Sequence, residues 1–265
     1  MKNTPKNTPF WLDPQPVLFP PSHLALTEPN GLLAVGGDLT PEWLLHAYSK
    51  GLFPWFNADE PVLWWTPNPR SVLFMNELKI HKSLQKTLVR IEDNENLTVT
   101  FDQAFTQVMQ ACSNAPRPGQ NGTWITPKMI AAYSSLHQSG HAHSVEVWQG
   151  DELVGGVYGV ALGKMFYGES MFANVRDASK IGLVALCMHL KQWGFSLLDT
   201  QVETPHLKSL GARSIPRTEF EQYLNTQIQM AFPAHAWQVS PDWFNWVDYY
   251  VYEQKHAPSN TLQPI

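Results

Sequence analysis

The chain has 265 residues, 43% of them apolar, with 11 tryptophans, 2 cysteines and a formal net charge of −5. That length allows one large domain or two modest ones. Two cysteines far apart, Cys112 and Cys187, exclude a disulfide framework and a cysteine-based zinc site and fit a reducing cytoplasm. The acidic balance excludes global electrostatic binding of nucleic acid and leaves room only for a local basic patch.

In chain order, the first ten residues are polar and read as no signal peptide. Residues 1–30 are proline-rich and expected to be irregular. Gly36-Gly37-Asp38 signals a turn, after which Thr40 caps a helix with Pro41 at its first position and Gly51 just past its end. Between Phe53 and Arg70 the chain places three tryptophans, two phenylalanines and four prolines in 18 residues. Proline at this density forbids a helix and stiffens the backbone. The rings either pack a small lobe or grip a flat ligand such as a nucleobase. The run Pro61–Pro69 marks the expected boundary between an N-terminal lobe, 1–69, and the remainder, 70–265.

Ile80, Leu84 and Leu88 recur at helical spacing and make one apolar face. Lys79, Lys82, Lys86 and Arg90 fall on the opposite face, as a solvated surface or a phosphate-contacting stripe. Residues 102–112 and 127–139 read as helices, joined by a flexible loop from Pro116 to Gly122 that ends in Thr123-Trp124. Strands are expected at Ser144–Gln149, at Glu152–Ala161 with a break at Gly155 and Gly156, and at Met165–Tyr167. This meander delivers Gly168-Glu169-Ser170-Met171-Phe172 at a strand end. A helix from about Ala178 to Trp193 is apolar almost all round, so it should be buried, and Gly194 closes it. The longest apolar stretch of the sequence, around Leu183–Met188, is too short to span a bilayer. Phe195–Val202 reads as a strand whose period of two puts Phe195, Leu197, Asp199 and Gln201 on one face. An aromatic-rich tail follows from Trp237 to Tyr250. The pattern predicts an α+β or mixed α/β fold.

Glu169, Asp199 and Gln201 interrupt apolar strands. Buried carboxylates are costly unless paired, so each needs a partner. Negative charge in an apolar surround suits a cationic or amine ligand. His141-Ala142-His143 lacks a Glu or Cys at zinc spacing and reads as structural. Ser170 lacks the nucleophile elbow of hydrolases, and neither a Walker loop nor a dinucleotide fingerprint is present. On residues alone, a nucleic-acid or sugar-binding module ranks first and a coenzyme A-dependent N-acyltransferase second.

Several sequence words narrow this. They include Pro29–Leu39 (PNGLLAVGGDL), Phe53-Pro54-Trp55-Phe56, Leu63-Trp64-Trp65, Gly122–Thr126 (GTWIT) and Gly140–Trp148 (GHAHSVEVW). Gly155–Gly159 (GGVYG), Gly168–Phe172 (GESMF), Asp199-Thr200-Gln201 and Ser209–Ala212 (SLGA) follow in the same order. In this order the chain resembles the bacterial leucyl/phenylalanyl-tRNA–protein transferases over residues 20 to about 220. The resemblance implies a small N-terminal lobe followed by an acetyltransferase-like (GNAT) mixed-sheet domain. It implies transfer of Leu or Phe, and Met less well, from aminoacyl-tRNA to proteins beginning with Lys or Arg. That transfer marks them for degradation in the cytoplasm, with no metal or coenzyme and no membrane. A monomer is expected. Residues 173–177 carry no glycine, unlike the phosphate loop of coenzyme A enzymes, in keeping with a different acyl donor.

By the same resemblance, Trp55 and Trp124 stack on or flank the 3′ adenosine and Tyr133 lines the same cleft; Trp64 and Trp65 are expected to pack the seam between lobes. The aminoacyl side chain enters a pocket formed by Leu183, Leu186 and Leu190 with Phe166, Met171 and Leu198 as walls. Two family aromatics align with Leu186 and Leu190, which predicts a roomier pocket. Glu169 takes the Lys or Arg charge, and Asp199 with Gln201 takes the α-amine. A neutral amide is too weakly basic to be a base, so Gln201 is expected to orient the amine. Lys79, Lys82, Lys86 and Arg90 hold the acceptor-stem backbone.

Overall fold

The computed structural model describes residues 8–92, 97–116, 123–231 and 237–256. Beyond Pro116, the loop expected to end at Gly122 lies outside them.

A four-stranded mixed sheet contains β1 (Phe10–Leu12), β2 (Leu32–Gly36), β3 (Phe53–Pro54) and β4 (Leu63–Trp65) in the order β1-β2-β4-β3. Helix α1 (Pro41–Ser49) starts at the expected cap, where Thr40 Oγ1 accepts the Trp43 N–H at 3.4 Å. Gly51 leaves it with φ +72°, a conformation that costs glycine least. Trp64 does not lie at a seam: it is fully buried against Trp43 and Phe19, with ring centroids 5.9 and 4.9 Å away. The proline-rich segment thus supplies short strands that bury Phe53, Phe56 and Trp64 and leave Trp55 exposed.

A seven-stranded mixed sheet contains β5 (Arg70–Phe74), β6 (Leu97–Phe101), β7 (Ala142–Gln149), β8 (Glu152–Leu162), β9 (Met165–Ala173), β10 (Leu197–Gln201) and β11 (Arg213–Ile215). Its order is β11-β5-β10-β9-β8-β7-β6. Two apolar cores lie on its faces. One joins the interior of the first sheet to α1, α3 (Phe105–Asn114) and α4 (Pro127–Gln138). The other is built on α5 (Ala178–Gln192), with α2 (Lys82–Glu92) and a last helix, Trp243–His256. Helix α5 is buried almost throughout, as its all-round apolar sequence requires.

Three expectations change. Strand β8 runs unbroken through Gly155 and Gly156; a Cβ on Gly155 would sit 2.5 Å from the Ala178 Cβ, so the glycine admits α5 instead of breaking the strand. Strand β9 continues to Ala173, which puts Gly168–Phe172 inside a strand paired with β8. Helix α2 starts at Lys82, so Lys79 and Ile80 precede it, and the Lys79 N–H bonds instead to Leu210 O at 2.9 Å.

The aromatic tail covers α5. His189 Nε2 accepts the Ser240 N–H at 2.9 Å, Tyr250 OH donates to Leu78 O at 2.9 Å, and Trp237 stacks on His143 with centroids 3.7 Å apart. Among the described residues no helix is long and apolar enough to cross a membrane.

Candidate active site

Strands β9 and β10 run parallel but pair only through Phe166–Leu198 and Tyr167–Asp199. Beyond those pairs they part, and a cleft of about 310 Å³ opens between them. It lies toward the carboxyl ends of the parallel strands, where open α/β sheets hold ligands. Gly168 to Met171 form one wall and Leu198, Thr200 and Gln201 another; Phe53, Trp55, Trp124, Leu183 and His206 are among the other lining residues.

Glu169 enters the cleft through a defect in β9. Tyr158 pairs with Ser170 but Gly159 pairs with Gly168, so Glu169 is the extra residue of a bulge. Its carboxylate is buried and accepts hydrogen bonds from Tyr48 OH at 2.8 Å and Gln201 Nε2 at 2.7 Å on one oxygen. Tyr133 OH approaches the other at 3.3 Å, and the two tyrosine hydroxyls lie 2.5 Å apart. Burial pushes Glu169 up to about 7, and the Asp199 charge adds to this, against the hydrogen bonds of the tyrosines and Gln201. Burial likewise raises Tyr48 and Tyr133 well above the usual phenol range, so both stay neutral donors.

Gln201 is also set by a defect. The β10–β5 register shifts between Asp199 and Gln201, and Gln201 sits in the left-handed region at φ +62°. Its N–H is held by Asp199 Oδ1 at 2.8 Å. The expected single face is therefore broken: Gln201 reaches the cleft, whereas Asp199 is fully buried and is not on its wall. Arg70 takes both Asp199 oxygens, Nε to Oδ1 at 2.8 Å and Nη2 to Oδ2 at 2.6 Å. Asp199 is thus a neutralised hook for the Gln201 backbone, not a second carboxylate offered to an amine. Arg70 was not singled out from the sequence. The demand of a buried Asp199 for a cation was legible, but which of the 18 Lys and Arg residues met it was not.

The aromatic wall is stiff. Trp55 is 43% exposed on the cleft, its carbonyl receiving Trp65 Nε1–H at 2.7 Å and its N–H bound to Leu63 O at 3.0 Å. Trp65 meets Trp55 edge-on, so this tryptophan braces the loop. Trp124 lines the same cleft. Tyr133 does not: it lies fully buried behind Glu169 and acts through its hydroxyl.

Met171, Leu183 and Leu198 line the apolar part of the cleft with Val157. Phe166, Leu186 and Leu190 do not; all three are core residues. Phe166 sits where β9 and β10 are still paired, and α5 meets the cleft through Leu183. Leu186 and Leu190 are therefore not part of the cleft wall.

Lys79, Lys82, Lys86 and Arg90 are all exposed. Lys79 N–H and the His81 ring bond to Leu210 O and Ser209 O, which ties the start of the stripe to α6 (Pro205–Ser209). His206 and Leu207 of that helix line the cleft. His206 also escaped the sequence reading. Its Nε2 is buried with no hydrogen-bond partner among the described residues, and burial, with Lys180 nearby, lowers its pKa. His143 is paired with Asp102 Oδ2 at 2.7 Å and stacked on Trp237, and His141 Nδ1 lies 3.1 Å from Ser139 Oγ. Among the described residues no three His, Cys, Asp or Glu side chains are grouped to hold a metal ion.

The cleft thus joins rigid aromatic rings, an apolar slot, one carboxyl group poised near neutrality and an amide aimed at it. The family model for leucyl/phenylalanyl-tRNA protein transferase matches residues 72–225, and the model for that family's N-terminal domain matches residues 37–68. The leucyl/phenylalanyl-tRNA–protein transferase of Hydrogenovibrio crunogenus is 61% identical over 239 residues, 90% of this chain and 92% of that one. The enzyme of the same name from Nitrosospira multiformis is 56% identical over 220 residues, 83% of this chain and 93% of that one. Among solved structures, that of L-PGS from Bacillus licheniformis aligns with 53% of this chain and 49% of its own at 10% identity and a TM-score of 0.36, which leaves the fold to rest on the sheet topology described above. With both family models matched and these identities spanning most of either chain, the chain belongs to the leucyl/phenylalanyl-tRNA–protein transferase family.

Proposed function

We propose that the cleft moves Leu or Phe, and Met less well, from the 3′ end of aminoacyl-tRNA to the α-amine of proteins that begin with Lys or Arg. The observation that carries this is the parting of β9 and β10 around Glu169 and Gln201, with Trp55 and Trp124 beside an apolar slot. The rings suit the terminal adenine, each stack contributing about 1–3 kcal/mol. Met171, Leu183 and Leu198 suit an uncharged side chain and offer nothing to a polar one.

The acceptor is an α-amine with an unperturbed pKa of about 8, so a useful fraction is neutral at pH 7 and can attack the ester carbon. Holding amine and ester in line contributes several kcal/mol, about 7–11 at the upper limit. With its Nε2–H given to Glu169, Gln201 has its amide oxygen left to accept an amine N–H and orient the lone pair. As the C–N bond forms and the C–O3′ bond breaks, the amine proton ends on the ribose hydroxyl. A Lys or Arg side chain brought to Glu169 favours the ionised carboxylate and draws its pKa down, so acceptor charge and Glu169 ionisation are coupled.

The exposed stripe Lys79, Lys82, Lys86 and Arg90 would hold the acceptor-stem phosphates without reading sequence. This reading takes residues 1–69 as the N-terminal lobe and 70–265 as an acetyltransferase-like domain, working as a cytoplasmic monomer that marks its products for degradation. Ahead of α5, where a coenzyme A enzyme would offer backbone N–H groups to pyrophosphate, stands Asp177 with its carboxylate bound to Lys180; this favours the aminoacyl ester over acetyl-coenzyme A.

The test is labelled Leu-tRNA with a protein beginning with Arg, run beside labelled acetyl-coenzyme A with the same protein. Label from Leu-tRNA alone supports the reading. Label from acetyl-coenzyme A, or from neither, rejects it.

A further inference from the structure

We propose that Arg70 is a positioning residue that sets both walls of the cleft from one buried guanidinium. The inference rests on the transfer reading above but concerns a residue outside the cleft surface.

Arg70 is the first residue of β5, where the chain passes from the first sheet to the second, and it is fully buried. Its three nitrogens face in two directions. Nε and Nη2 hold the two oxygens of Asp199 at 2.8 and 2.6 Å, and Nη1 donates to Gly51 O at 3.1 Å. Its plane is clasped between the rings of Phe53 and Phe220, with centroids 4.8 and 4.6 Å away.

On the Asp199 side the consequences run to the acceptor wall. Asp199 Oδ1 holds the Gln201 N–H, which keeps a non-glycine residue at φ +62°. That backbone places the Gln201 amide on Glu169. On the Gly51 side they run to the donor wall. Gly51 begins the short segment that carries Phe53 and Trp55, both of which line the cleft. A planar fork can serve the carboxylate and the carbonyl at once; an ammonium group is a single point on a flexible stem. Arg70 therefore couples the ring that meets the adenine to the amide that meets the amine.

A counter-ion that merely neutralised Asp199 would predict something different. Replacing either partner of the pair would then loosen the site in the same way. The coupling instead predicts two distinct phenotypes, because Arg70 reaches the donor wall and Asp199 does not.

Arg70→Lys and Asp199→Asn are compared with wild type. Binding of an amide-linked, non-hydrolysable phenylalanyl-adenosine is followed by tryptophan fluorescence; kcat and KM come from Leu-tRNA and an Arg-initiated peptide; Tm is recorded for each. The expected result is a kcat at least tenfold lower in both variants. Affinity for the adenosine analogue falls at least fivefold in Arg70→Lys yet stays within twofold of wild type in Asp199→Asn. Unchanged analogue affinity in Arg70→Lys, or an equal loss in both variants, overturns the proposal. If wild type transfers nothing, the reading of function fails, while the analogue arm still reports on Arg70.

Discussion

Replacing Glu169 with Gln removes a charge while keeping the shape of its site. The new amide oxygen can accept from Tyr48 OH and Gln201 Nε2, as the carboxylate does, and its NH₂ can donate to the Tyr133 oxygen. What changes is titration. In the unfolded chain the Glu169 carboxyl loses its proton near 4.5; in the fold it does so at about 7. Between these values the folded state binds more protons than the unfolded one, so stability falls as pH rises. The contribution of Glu169 is fully present below pH 4.5 and lost above 7. That interval corresponds to about 3 kcal/mol, or about 6–12 °C in Tm for a chain near this size. Glu169→Gln lacks this dependence. Calorimetric melting of both proteins from pH 4.5 to 8.5 should therefore show the Tm of the variant, relative to wild type, rising by that amount with a midpoint between pH 5 and 7. A gap that stays constant across the range would refute the assignment of a buried, proton-holding Glu169. The same variant should raise KM for acceptors beginning with Lys or Arg; an unchanged acceptor preference would remove Glu169 from that role.

Other consequences are open to direct measurement. Burial lowers His189 to about 4, so the unfolded chain takes up a proton first as pH falls; stability should drop by about 3 kcal/mol between pH 6.5 and 4. His189→Leu should lower Tm at pH 7, through loss of the Ser240 hydrogen bond, yet flatten that acid slope. Trp55→Ala and Trp124→Ala should each raise KM for Leu-tRNA about 5- to 150-fold, the equivalent of one stack, with acceptor KM unchanged. Lys82→Glu with Lys86→Glu should raise KM for Leu-tRNA and lower the slope of log affinity against log salt by up to about 2; if neither moves, the stripe is only a solvated surface.

Local chemistry was legible where one segment decides its own structure. Thr40, Pro41 and Gly51 framed α1 because cap, first turn and exit each have a residue-specific cost. The even apolarity of α5 announced its burial. The site was less legible because two strand defects make it. Glu169 faces the cleft through a bulge seen only in the register of β9 against β8, and Gln201 does so through a left-handed residue that no period of two foresees. Gly155 and Gly156 look like a break in β8, although Gly155 answers to the approach of Ala178 and the strand runs on. Arg70 and Asp199 are 129 residues apart, and Tyr48 and Glu169 are 121 apart. Such partners follow from the topology of the sheet, not from any local pattern.

The proposed reaction joins an aminoacyl group to an α-amine. The most direct test is mass spectrometry of an Arg-initiated peptide after incubation with Leu-tRNA. The expected result is a gain of one leucyl residue, placed by fragmentation on the α-nitrogen of Arg, and no gain when that nitrogen is acetylated. An unmodified peptide, or leucine on a side chain or on the acetylated control, would contradict it.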